Sequence, residues 1–100
     1  MTYNIDFLRV AEIEAEESVE YYENERSGLG TKFRISLERA IDRVRLNPLG
    51  YPVIHGTNVR RALVSGFPYS VIFTIHKETV LIYSIFHSSR NPKVWSGRIG

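Results

Sequence analysis

Residues 59–86 read VRRALVSGFPYSVIFTIHKETVLIYSIF, and the fold turns on this stretch. Ser65-Gly66 closes a first apolar run, Val59 to Val64. His76-Lys77-Glu78 separates a second run, Tyr69 to Ile75, from a third, Thr79 to Phe86. With strand alternation, Phe67, Tyr69, Val71, Phe73 and Ile75 fall on one face. The third run is rich in β-branched and aromatic residues, which suit a pleated surface. Short turns between successive strands predict an antiparallel meander.

Upstream of this stretch the apolar spacing becomes helical. Ala11, Ala15, Val19 and Tyr22 form one stripe of a helix over 11–26, with Glu12, Glu16, Glu20 and Glu23 on its polar side. Ser27-Gly28 stops that helix. A second helix runs from about Thr31 to Leu46, its stripe made by Phe33, Leu37, Ala40, Ile41 and Val44. Ile35 and Leu46 lie outside that stripe. Asn47-Pro48 ends the helix, because a residue before proline avoids the α region. The short break between the two predicts an antiparallel helical hairpin. Residues 48–58, with their Pro and Gly, read as a loop held over apolar surface by Tyr51, Val53 and Ile54. Tyr3 to Leu8 alternates as a short strand, and pattern alone does not place it in the sheet. The expectation is an α+β fold of order β-α-α-β-β-β, one domain over 1–100. The hairpin covers one sheet face and leaves the other as a shallow surface.

A chain of 100 residues that is 43% hydrophobic and 24% charged supports one modest core. There is no cysteine, which excludes disulfides and thiolate zinc sites and points to a reducing cytoplasm. Met1 to Val10 carries Asp6 and Arg9 and does not read as a signal peptide. The apolar region 67–86 is interrupted by Ser70, Thr74, His76, Lys77, Glu78 and Thr79, so no membrane span is expected. The three histidines lack metal-ligand spacing, and no phosphate-binding glycine motif occurs. Neither a metal nor a cofactor is expected.

Charge is unevenly spread. Residues 1–47 hold ten acids and seven bases, whereas 48–100 hold one acid, Glu78, and six bases. A basic half nearly free of acids suits a polyanion or an acidic protein partner. The candidate cluster is Arg60, Arg61, Tyr69, His87 and Arg90, extended along the tail by Lys93, Trp95 and Arg98. Arg60 and Arg61 are adjacent on a strand and point to opposite faces. A hairpin turning at Ser65-Gly66 brings Arg61 or its neighbour roughly opposite Tyr69. Arginine forks bind phosphate oxygens, histidine moves a proton near neutral pH, and aromatic rings stack on unpaired bases. Each residue also has a plainer reading: Tyr69 as core, His87 as a strand-end side chain, Trp95 as an anchor for the tail. His55 and His76 read as ordinary surface residues.

In order along the chain stand Glu20-Tyr21-Tyr22-Glu23, Gly28-Leu29-Gly30 before Phe33, and Asn47-Pro48 with Tyr51-Pro52. Then come Val59-Arg60-Arg61, Phe67-Pro68-Tyr69, and a tail of His87, Arg90, Pro92, Trp95 and Arg98. With these motifs the chain resembles the RelE/ParE superfamily of toxins, nearest the ParE-like, or plasmid stabilisation, branch. The resemblance implies a toxin of a type II toxin–antitoxin system, bound in a hetero-oligomer by a cognate antitoxin and arresting growth when free. It implies either a ParE-like inhibitor of DNA gyrase or a RelE-like ribosome-dependent mRNA endonuclease; a non-toxic binding module that keeps the fold is a third possibility. For a nuclease, Arg61, His87 and Arg90 map onto catalytic positions. Arg60, Tyr69, Lys93, Trp95 and Arg98 are then binding residues. Residues 48–58 contain neither the lysine nor the acid that RelE-like nucleases often carry there, which favours the non-enzymatic, gyrase-directed reading.

Overall fold

The computed structural model describes residues 2–99. The first strand, β1 (Asn4–Phe7), leads directly into α1 (Arg9–Glu25) and α2 (Leu29–Leu46). A single 3-10 turn at Pro48–Gly50 leads to β2 (Val53–His55), β3 (Val59–Leu63), β4 (Tyr69–His76) and β5 (Thr79–His87). A four-residue helix, α3 (Lys93–Ser96), ends the described chain. The sheet order is β1-β5-β4-β3-β2. Strands β2 to β5 pair antiparallel, and β1 pairs parallel to β5, matching Ile5 with Val80 and Phe7 with Ile82.

The expected α+β architecture is present, with the hairpin packed on one sheet face. Phe33, Leu37, Ala40, Ile41 and Val44 of α2 are buried against Ala62, Val71, Phe73, Val80, Ile82 and Ile85. Tyr22, Phe33, Phe67 and Tyr69 stack edge-on or tilted at one end of this layer, with centroids 4.9–6.0 Å apart. Burial pushes the Tyr22 hydroxyl above its ordinary pKa. Ile35 and Leu46 lie on the surface, as their positions outside the stripe required.

Three details depart from expectation. α2 begins at Leu29, before Thr31, because Gly28 makes the turn in the left-handed region at φ 86°. The Glu23 carboxylate accepts the Gly28 and Gly30 amides at 3.0 and 3.1 Å, satisfying donors at the new helix start. The helices meet closely here: a Cβ on Gly30 would lie 2.6 Å from the Val19 carbonyl oxygen. The expected loop 48–58 contains β2, which pairs Val53 with Arg60 and His55 with Val59 around a bulge. Three residues between Pro52 and Gly56 are too few for alternation to register. The third departure is on the far sheet face, which is not left bare. Trp95 of α3 packs there with Val59, Ile72 and Phe86, flanked by Ile54, Val94 and Ile99.

A buried ion pair ties the tail to the hairpin. Glu14 lies on the inner side of α1, level with Ala11 and Ser18, and its residue is 9% exposed. Strand β5 bulges at Tyr83, between Ser84 paired with Ile72 and Ile82 paired with Phe73. β1 has already ended at the level of Ile82. The Ile85 amide is therefore without a neighbouring strand, and Glu14 Oε1 accepts it at 3.1 Å, together with the Ser84 hydroxyl at 2.9 Å. Arg98 donates to both Glu14 oxygens at 3.0 Å and to the Tyr83 carbonyl at 2.8 Å.

Truncating one member of such a pair strands the other group in a low-dielectric site. Glu14→Ala should lower unfolding free energy by about 3 kcal/mol or more in urea titrations, and Glu14→Leu with Arg98→Met should recover much of that loss. Gly30→Ala should destabilise by at least about 1 kcal/mol, because backbone must move to admit the methyl group.

Candidate functional site

The register of β3 decides which arginine faces which side. Arg60 pairs with Phe73, a core residue under the helices, and Arg61 pairs with Ile72, on the opposite face. Arg60 bends back over the 3-10 turn, where its guanidinium donates to the Tyr51 carbonyl at 2.6 Å and the Leu49 carbonyl at 3.3 Å. Those bonds make Arg60 a clamp on the 48–52 segment. Arg61 stands exposed on the helix-free face.

There Arg61 borders a groove of about 520 Å³. Arg90, Lys93, Ser70, Ser88 and Trp95 line it as well. No acidic side chain lines this groove, and Arg61, Arg90 and Lys93 form no ion pair among the described residues. The frame around the cations is fixed by backbone bonds. The Ser88 amide donates to the Pro68 carbonyl at 2.9 Å, and the Arg90 amide to the His87 carbonyl at 3.0 Å. Asn91 accepts the Lys93 amide at 2.9 Å. Three unpaired cations around a shallow concavity present an anion-attracting surface.

The five clustered residues do not share one site. Tyr69 pairs with His87, and both face the helix side, their rings edge-on with centroids 5.0 Å apart. Arg61 is opposite Ile72, and Tyr69 is joined to Val64 through the Val64 amide, so Arg61 and Tyr69 are not neighbours across the hairpin. His87 and Tyr69 border a separate depression of about 220 Å³ with Glu17, Tyr21 and Arg90. Arg90 alone of the cluster borders both concavities. The His87 ring accepts the Ser89 amide at Nδ1, 3.0 Å away, and lies 2.8 Å from the Ser89 hydroxyl.

Two tail residues are bound into the fold. Arg98 is committed to Glu14 and Tyr83. Trp95 is only 5% exposed, so its ring has no open face for a base, and its Nε1 lacks a hydrogen-bond partner. Sequence reading missed Glu14, although an acid three residues after Ala11 and four before Ser18 sits on the buried stripe. It also missed His55, which borders the groove and meets Trp95 edge-on at 5.6 Å; nothing in its neighbourhood marked it. No cluster of three or more metal-ligating side chains occurs among the described residues.

A helical hairpin backing a five-stranded sheet, with a cationic groove on the far face, defines a class of small α+β proteins. No family model and no curated protein matches the chain. Solved structures do. A chain of the chromosomal ParDE TA system from P. aeruginosa superposes with a TM-score of 0.75 at 12% identity, over 86% of this chain and 96% of that one. A mutant of the E. coli toxin RelE in the free state superposes with a TM-score of 0.73 at 18% identity, over 100% of both chains. The chain therefore shares its fold with these two structures, the fold that the resemblance of its motifs implied.

Replacing Arg61, Arg90 and Lys93 together by alanine should change stability by no more than about 0.5 kcal/mol per position, as for exposed surface positions, while lowering the salt concentration that elutes the protein from heparin. Trp95→Ala should instead cost about 3 kcal/mol in the same unfolding assay.

Proposed function

We propose that this chain is the toxin of a type II toxin–antitoxin pair, working in the cytoplasm and silenced by a cognate antitoxin. Its target is DNA gyrase, and it acts by binding. The observation that carries the toxin reading is the match of the fold to a chain of a ParDE system, over 86% of this chain, and to RelE, over 100% of it. The groove supports binding over bond-making. It is lined by Arg61, Arg90 and Lys93 and, among the described residues, by no carboxylate, while His87 is turned to the other face. An acid–base pair within reach of one phosphodiester would be needed for efficient RNA cleavage. No helix among the described residues is long and apolar enough to cross a membrane.

One observation favours the second reading, a ribosome-dependent mRNA endonuclease. His55 borders the same groove as Arg61 and Arg90, so a proton-transfer group stands beside the cations. In that case His55, not His87, is the base.

Expression of the chain alone should arrest growth, and co-expression of a small protein encoded beside it should restore growth. Purified protein should inhibit gyrase supercoiling or accumulate gyrase–DNA cleavage complexes, and the Arg61, Arg90 and Lys93 triple alanine variant should do so weakly. New mRNA ends on translating ribosomes, lost by about 10²-fold or more in His55→Ala, would replace the gyrase reading with the nuclease. Sustained expression without any growth defect would reduce the chain to a binding module.

A further inference from the structure

The hairpin has an outer surface, bordered by β1, that the tail does not reach. A trough of about 480 Å³ runs between α1 and α2, floored by Phe7, Ile13, Ala15, Leu37 and Ile41. It shares Phe7, Glu38 and Ile41 with a second depression of about 510 Å³, which carries it on to Ile5, Asp42 and Arg45. Ile13 is 42% exposed in it, an apolar contact with nothing to cover it.

The rim is strongly acidic. Glu12, Glu16, Glu17, Glu20 and Glu38 surround the first depression, against Arg9 and Arg34. Both arginines are already engaged. Arg34 grips both Glu16 oxygens at 3.1 and 3.3 Å, which raises its pKa further, and Arg9 lies 4.0 Å from Glu12. Glu17, Glu20, Glu38 and Asp42 have no ion-pair partner among the described residues. An apolar floor between unpaired carboxylates is complementary to one kind of surface: an apolar stripe flanked by lysine or arginine.

We propose that this trough docks a basic amphipathic helix of a partner protein. The wall that α1 supplies, from Arg9 to Glu20, is roughly 16 Å long, which accommodates about three helical turns. A second copy of this chain does not fit. Its hairpin presents the same acids, and α2, its most basic helix, has its apolar stripe buried in its own core. The proposal stands whether or not the chain is toxic. It also separates this face from the cationic groove, which attracts the opposite charge.

The probe is a synthetic helix with leucines at i, i+3, i+4 and i+7 and lysines on both flanks, titrated into the isotope-labelled protein. Amide resonances along Ile13, Glu17, Glu20 and Glu38 should shift saturably, and less so at higher salt. The same peptide with glutamates for lysines should bind at least about tenfold more weakly, as should the lysine peptide with the Glu17→Lys, Glu20→Lys, Glu38→Lys variant. Those exposed positions leave the unfolding midpoint as a check on folding, and Ile13→Asp should abolish binding independently. Absence of binding, equal binding of the acidic peptide, or shifts confined to the Arg61–Arg90 groove would overturn the proposal. So would self-association of the free protein that Ile13→Asp abolishes, since the face would then belong to a second copy.

Discussion

The structure depends on one buried carboxylate. Glu14 accepts hydrogen bonds from the Ser84 hydroxyl, the Ile85 amide and two nitrogens of Arg98, all within 2.9–3.1 Å. A charge taken out of water is costly, and only a full set of donors offsets it. Here the donors come from a strand and from the tail, while the acceptor comes from a helix. The same oxygens solve a backbone problem: β5 continues past the end of β1, and its bulge leaves an amide facing α1. A buried amide without an acceptor is rarely tolerated. Helix, sheet and tail are thus held in register by a single side chain.

That register partitions the chemistry of the far sheet face. With Arg98 anchored, the tail must lie across the sheet, and Trp95 reaches Ile72 and Phe86. The tail also brings Lys93 and Arg90 to the rim that Arg61 borders. The cationic groove is therefore a product of tail placement as much as of the meander. The acids are gathered elsewhere, along α1 and its boundary with α2, so the molecule offers two surfaces of opposite charge on opposite sides of its core.

Where the sequence was legible, periodicity carried the information. Phe33, Leu37 and Val44 at helical spacing, and Val71 and Phe73 at strand spacing, each report burial directly, and all five are core. The parallel pairing of β1 with β5 was not legible, because nothing local in Tyr3 to Leu8 names a partner beyond two helices. Strand β2 was hidden by its brevity. In the site, Arg61 was separable from Arg60 only through the register with β4, which a one-residue slip would reverse. The grouping of His87 with Arg61 failed for the same reason: proximity of strand ends is not identity of face. Arg98 was read as a binding residue because its partner, Glu14, lies 84 positions away and carries no local mark.

The edge pairing of β1 has a temporal consequence. Its partner strand is the last of this sheet in chain order, and the Arg98 that fastens the tail follows later still. A nascent chain can form the hairpin early, yet its apolar stripe has no complete sheet to rest on until β5 has been made. Contacts this distant in sequence close slowly. Assembly of the cationic surface is in this way withheld until Arg90 and Lys93 have followed the sheet out of the ribosome.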